Sequence, residues 1–343
     1  MLTTRAASCR EPIMRVLRTV LVCLVVALVA VPRTVGAADR ESNDTRLQRA
    51  FEILNEYRGN DALLEAARSE LETILKDDPA YAPAYREMAR YFIMRGYGGQ
   101  HGSGRDHLLA AEKALTRALA IDPAYADAYV LFGRLYYLMG RLEDAKDALN
   151  RATEIGTDSP WLDLNWADVL FAEGRTDEAN SRYRSVLNSG TDNYKAIRSA
   201  RRGLVRKPME QAAHILDNHS GNRLLLQEAK TYLDAAISSE PSVARLHILL
   251  GRFWICWSQM GGPGYDEDSL QFAERSFKTA IALEPMFGNG YLKLAQVYIL
   301  MNRLKEAKSA LANAEKNGNT SVWITRFRAD IAQRENLSSE IGH

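Results

Sequence analysis

The sequence predicts an all-α fold built from stacked antiparallel helix pairs. Three observations carry this prediction. First, apolar residues recur at helical spacing. Within residues 126–156, Tyr129, Phe132, Tyr136 and Leu138 form one run, and Ala145, Leu149 and Ala152 form a second, with Gly140 and Arg141 between them. Second, small residues stand where two such helices would touch: Gly133 on the first run and Ala145 on the second. Third, the second half of the chain overlays the first without a gap at a shift of 162 residues (209 − 47). Ala50-x2-Ile53-Leu54 falls on Ala212-x2-Ile215-Leu216, Pro79 on Pro241, Pro123 on Pro285 and Trp161 on Trp323. Leu138-Met139-x-Arg141-Leu142 falls on Leu300-Met301-x-Arg303-Leu304. A generic core could be shared by unrelated repeats, but an insertion of equal length in the same place need not be. Here Gly99 and Gly102 fall on Gly261 and Gly264, and Asp106 on Asp268. A duplicated block is therefore expected, giving two similar superhelical segments.

The chain has 343 residues and a net charge of +1. Its start reads as a leader. Arg15 and Arg18 precede an apolar run from Val20 to Val31, and the small residues Gly36, Ala37 and Ala38 follow. This is the pattern of a secretory signal peptide over residues 1–37, with Met14 an alternative start. The rival reading is an uncleaved inner-membrane anchor, which would need a run of roughly 20 apolar residues. Cys23 follows bulky Val22, which disfavours lipidation. Residues 1–37 carry five arginines and one glutamate, a net of +4, so removing them leaves −3. A mildly acidic exported chain is a poor nucleic-acid binder. Of three cysteines only Cys256 lies beyond the leader, so stability must come from helix packing. A periplasmic or secreted location is expected.

Residues 38–46 are polar and read as a disordered segment. The first block spans 47–193. Its first unit keeps Ala67, Leu71 and Ile74 in phase up to Pro79. The next reads Tyr85-x2-Met88-Ala89-x2-Phe92, then Ala111-x3-Leu115, Ala118 and Pro123, with the Gly-rich insertion Tyr97–Asp106 between. The unit 126–156 follows, then Asp163-x2-Trp166-Ala167-x2-Leu170 with Ala179 and Tyr183. Residues 194–208 form a basic linker or helix holding Lys195, Arg198, Arg201, Arg202, Arg206 and Lys207. The second block, 209–335, contains Ala229-x3-Leu233, then His247-x2-Leu250-Gly251-x2-Trp254 with Ala273-x3-Phe277. Tyr291-x2-Leu294-Ala295-x2-Tyr298 with Ala307-x3-Leu311 comes last, before a polar capping helix near 321–333 and a tail at 336–343.

The unit at 126–156 resembles one tetratricopeptide repeat. That pattern sets an aromatic, a large apolar then a small residue, an aromatic, and later Ala-x3-aromatic and Pro. Here it stands as Tyr129-x2-Phe132-Gly133-x2-Tyr136 and Ala145-x3-Leu149, with Thr157 in place of the proline. The resemblance extends over nearly all of 47–335 and implies a right-handed superhelical solenoid. It also implies that the first helix of each pair lines a concave groove in which peptides lie. The residues it turns inward are Arg86, Arg90, Arg134, Asp168, Arg245, Arg252 and Gln296, with Tyr137, Phe171, Ile248 and Ile255 between them. Arginine forks suit carboxylates, and Glu87, Asp127 and Asp168 are placed to neutralise some of them. Where some relatives set Asn to clamp a chaperone tail, Arg90 and Arg134 stand here.

No catalytic spacing is visible: no Walker-type loop, no G-x-S-x-G and no H-E-x-x-H. His101 and His107 lack a third ligand nearby, and the acids Asp266, Glu267 and Asp268 face Gly104-Arg105-Asp106 in the other half. No catalytic, metal or cofactor residue is therefore assigned. In the two Gly-rich loops, 97–106 and 260–268, Asp106 and Asp268 read as helix N-caps. The alternative is a pair of binding lips. The basic stretch offers either a solvated helix or contact with a membrane surface or an acidic partner. Cys256 beside Ile255 reads as inert packing. The function these features favour is a non-enzymatic scaffold for a protein or peptide partner, in envelope biogenesis, secretion or surface-polysaccharide assembly. The alternatives are a ligand-binding accessory of a solute transporter, and an enzyme.

Overall fold

A computed structural model describes residues 35–57, 60–98, 104–262 and 264–341, and every regular element among them is helical. The expected signal peptide lies outside the described residues except for its last three. Pairing runs in chain order: α1 (Val35–Glu56) with α2 (Asp61–Asp77), α3 (Ala82–Gly98) with α4 (Gly104–Ile121), α5 (Ala126–Leu138) with α6 (Leu142–Ile155), and α7 (Pro160–Ala172) with α8 (Thr176–Asn188). Then come α9 (Tyr194–Leu204), α10 (Arg206–Asn218) with α11 (Arg223–Ser239), α12 (Ala244–Ser258) with α13 (Glu267–Leu283), α14 (Gly288–Leu300) with α15 (Leu304–Lys316), and the closing α16 (Val322–Ile341). Each pair packs on the next, and the core is a succession of clusters of buried Ala, Leu, Ile and aromatic side chains along the stack. No single pair could bury its own apolar face; the stack is the fold. Among the described residues no helix is long and apolar enough to cross a membrane.

The duplication is written in the helix bounds. α2 starts at 61 and α11 at 223, and α5 starts at 126 and α14 at 288, each 162 apart. Asn60 caps α2 and Asn222 caps α11, each with a side-chain oxygen accepting from the backbone two residues on. The turn after α5 places Gly140 at φ 73°, and the turn after α14 places Asn302 at φ 57°. Glycine and asparagine are the residues that tolerate this left-handed conformation. It lets the Arg141 N–H donate to the Tyr136 carbonyl at 2.9 Å and the Arg303 N–H to the Tyr298 carbonyl at 2.8 Å, satisfying the helix end. These arginines also staple neighbouring pairs. Arg141 binds Glu112 at 2.9 Å and lies 4.3 Å over the Tyr136 ring. Arg303 binds Glu274 at 2.7 Å and lies 4.4 Å over the Tyr298 ring. Close approach of paired helices depends on small residues. A Cβ on Gly133 would stand 2.4 Å from Leu149, and one on Gly251 2.4 Å from Phe277.

The structure departs from the sequence reading at several points. Residues 38–46, expected to be disordered, belong to α1. Asn43 is buried, Asp44 accepts from the Tyr81 hydroxyl, and Arg46 pairs with Asp77 at 2.9 Å, so tertiary contacts hold this polar stretch helical. The basic segment 194–208, read as a linker or helix, is helical on both sides of one break. Under the 162-residue shift α1 corresponds to residues 197–218, and there the helix breaks at Val205 into α9 and α10. Pro208 explains the break. Its ring would clash with the Leu204 carbonyl, four residues back, and it offers no N–H to it. Its counterpart in α1 is Arg46, which permits an unbroken helix. The expected tail at 336–343 is helical to Ile341. Asp268 sits inside the first turn of α13, whose cap is Asp266, accepting from the Ser269 N–H at 2.9 Å. Asp106 likewise lies inside the first turn of α4.

Candidate functional site

The solenoid encloses a concave cavity of about 1410 Å³ that reaches from α1 across α3, α5, α7, α9 and α10 to α12. At the α1 rim, Arg90 donates to the Asn55 side chain at 2.7 Å while the Lys195 ammonium donates to the Asn55 carbonyl, so α9 closes back onto α1. The apolar part of the wall is built by Phe51, Ile93, Met94, Leu131 and Trp161.

Asp168 is the hub of the floor. Its carboxylate accepts from Arg134 at 2.7 Å, from the Tyr183 hydroxyl at 2.9 Å and from Arg206 at 3.4 Å. One aspartate on α7 thus joins α5, α8 and α10. Burial and the adjacent Asp168 charge push the Tyr183 pKa well up, which keeps the phenol a donor. Arg206 also donates to Glu210 at 2.9 Å and lies 4.2 Å over the Phe171 ring. Beside this hub, Glu87 is buried and paired with both Arg86 and Arg90. Burial works against the Arg86 cation, yet the charges of Glu87 and Asp127 hold its pKa above the ordinary value. For Arg90 burial prevails and the pKa falls. The Arg86 Nε atom is buried without a hydrogen-bond partner among the described residues.

Two cations in the cavity are unpaired. Arg202 on α9 and Arg245 on α12 line it, remain solvent-accessible, and have no carboxylate within ion-pair distance among the described residues. The desolvated setting of Arg202 pushes its pKa down, and the charges of Arg198 and Arg245 push the same way.

Of the residues expected in the groove, Arg86, Arg90, Arg134, Tyr137, Asp168 and Arg245 line this one cavity. Arg252 and Gln296 do not. Arg252 pairs with Asp217, and Gln296 accepts from Lys293 at 3.4 Å. Ile248 and Ile255 are buried core. Phe171 is covered by Arg206. The second Gly-rich loop bends at Gly262 and Gly264, with φ 131° and 101°, and residues 99–103 of the first lie outside those described. His107 stacks on Phe92. Burial pushes the Cys256 thiol up, which makes it a poor nucleophile.

The basic stretch holds the residues that sequence reasoning placed least well. Most of its charge is used inside the molecule. Arg198 meets Glu284 at 3.2 Å, Arg201 meets Ser242 at 3.0 Å and Glu240 at 3.8 Å, and Arg206 joins the hub. These contacts tie the two blocks together. Lys195 and Arg202 stand seven residues apart on α9, which is one helical face and a readable sign that they point the same way; Arg206, past the break, lines the same cavity from α10.

Residues 106–165 match the family model described as tetratricopeptide repeat. No curated protein matches the chain significantly. Several solved structures are similar in fold. PilW, a type IV pilus biogenesis factor, is 16% identical, with 71% of this chain and 97% of that chain covered and a TM-score of 0.38. The human IFIT1 dimer with PPP-AAAA is 14% identical, with 85% and 64% covered and a TM-score of 0.48. A thermophilic TPR protein of Thermus thermophilus is 20% identical, with 60% and 99% covered and a TM-score of 0.31.

Proposed function

Because the chain is a tetratricopeptide repeat protein, we propose that it is a non-enzymatic scaffold holding a protein or peptide partner in the concave cavity between α1 and α12. The observation that carries this reading is the cavity itself. It is large enough for an extended segment, and its wall alternates fixed polar groups with apolar ones such as Phe51, Leu131 and Trp161. That mixture suits a peptide, whose backbone needs polar partners and whose side chains need apolar ones. The leader supports export, and we place the scaffold in the periplasm or outside the cell, serving envelope biogenesis, secretion or surface-polysaccharide assembly. A membrane-surface role for the basic stretch finds less support, since Lys195, Arg198, Arg201 and Arg206 bind groups of the chain itself.

The test is an in-cell crosslinking pull-down of the full chain beside two variants. Arg202→Glu with Arg245→Glu reverses charge inside the cavity at unpaired residues, and Arg184→Glu does so on the exposed face of α8. The reading expects envelope proteins recovered with the wild type and with Arg184→Glu, and lost with the cavity variant. Equal recovery by all three overturns it. The closure of α9 onto Asn55 favours a second reading, a pocket for a small solute. A metabolite thermal-shift screen that raises the melting temperature, with no peptide bound, would select that reading.

A further inference from the structure

The cavity wall is polarised along α9. At the α1 rim stand two exposed acids, Glu56 and Asp192, without ion-pair partners among the described residues. At the far end stand Arg202 and Arg245, likewise unpaired. From Lys195, which touches the rim, to Arg202 is seven residues of helix, about 10 Å. An extended peptide covers that span in roughly three residues. Most other cavity charges are held within the chain: Asp168 by Arg134 and Arg206, Glu210 by Arg206, and Arg86 and Arg90 by Glu87, while Asp127 accepts from the Thr157 hydroxyl at 3.0 Å and Glu52, on α1, from Gln48 at 2.8 Å. The cations left over for a partner are therefore a pair of guanidinium forks. One is supplied by α9, at the junction, and the other by α12, within the second block, so neither block holds the pair alone.

We propose that Arg202 and Arg245 are the anchoring site for carboxylate side chains of an acidic peptide segment, with the neutral or basic end of that segment at the Glu56 and Asp192 rim. The inference rests on the scaffold reading and names the chemistry of its partner. Guanidinium forks bind carboxylates through paired charge-assisted hydrogen bonds. Two like charges without carboxylate partners gain when an anion arrives between them, and the opposite polarity at the rim fixes the direction of the segment.

The probe is a fluorescein-labelled peptide with three glutamates at one end and three lysines at the other, set against a counterpart with glutamines in place of the glutamates. Fluorescence anisotropy on the full chain should show the glutamate peptide binding about tenfold tighter or more. Arg202→Gln with Arg245→Gln should abolish that margin, while Arg184→Gln should leave it intact. Both arginines are solvent-accessible, so the double variant should melt at the wild-type temperature, and raised salt should narrow the margin. Equal binding of the two peptides, with both lost on Trp161→Glu, would overturn the carboxylate anchor and leave the scaffold standing. Binding of succinate or of a 5′-phosphorylated oligonucleotide, with neither peptide bound, would overturn the anchor and the scaffold together. An unchanged margin in the double variant would also overturn the anchor.

Discussion

Gly203→Ala tests how the helix packing holds the site. Gly203 lies on α9 against the ring of Tyr183. A Cβ there would stand 2.3 Å from Cζ and 2.4 Å from Cε1, where ordinary contact begins at 3.4 Å. The ring must therefore retreat by about 1 Å into a core whose side chains are already close-packed. Tyr183 is 2% exposed, surrounded by Leu164, Ala167, Ala179, Ala196 and Ala200, and its hydroxyl is bound to Asp168. Overpacking of this kind costs about 1–3 kcal/mol. Losing the charge-assisted bond to Asp168 adds about 1.5–3 kcal/mol. Alanine in place of a helical glycine returns about 1 kcal/mol. The net expectation is destabilisation by about 1.5–5 kcal/mol, read by urea denaturation of the full chain. In a Tyr183→Leu background the clash and the bond are both gone, so the same substitution should cost far less. If Gly203→Ala stabilises the chain by about 1 kcal/mol in both backgrounds, only helix propensity is acting and the packing argument is refuted.

Other predictions follow from the repeated features. Burial alone would raise the Glu274 pKa, but Lys278 and Arg303 overcome it and hold the carboxyl below its ordinary 4.5. Its contribution to stability is then complete above that value and is lost as pH falls through the lowered folded-state pKa. Chemical denaturation should accordingly show Glu274→Gln less stable than wild type near neutral pH, with the gap closing in acid. Asn302→Gly should be neutral or stabilising at its φ of 57°, whereas Asn302→Val should cost about 1–2 kcal/mol in the same assay. Asp168→Asn strips the charge that Arg134 and Arg206 share, so stability should fall by about 1–3 kcal/mol. The same change should tighten the glutamate peptide, because Arg134 loses its ion-pair partner while Arg206 keeps Glu210.

The helices and their duplication were legible because helix pairs are local objects. Helical spacing, Gly140 and the prolines after the pairs act within a few residues, and the 162-residue shift repeats them. The concave positions of Arg86, Arg90, Arg134, Tyr137 and Asp168 were legible from one rule about which helix faces inward. Long-range pairing was not. Nothing near Asp44 or Arg46 in the sequence announces the partners Tyr81 and Asp77, at the α2–α3 turn, that hold this stretch. The basic stretch looked like a solvated helix because its acids, Glu240 and Glu284, come some 40 and 86 residues after Arg201 and Arg198. The signal for the break at Val205 was present in Pro208, but only the unbroken α1 makes its effect visible as a difference between halves. Arg252 and Gln296 were placed by repeat register alone. The cavity lining on α12 stops at Leu249, short of Arg252, and takes no residue from α14, which holds Gln296.

The most direct measurement of the central claim is a crosslink map in cells. A photoreactive residue is set at Ser199, which lines the cavity on α9, and in a second chain at Arg184, on the outer face of α8. The account predicts a discrete partner band from Ser199 that disappears in the Arg202→Glu, Arg245→Glu background, and no such band from Arg184. A band from Arg184 with none from Ser199 would contradict it, placing the working surface on the outside of the solenoid.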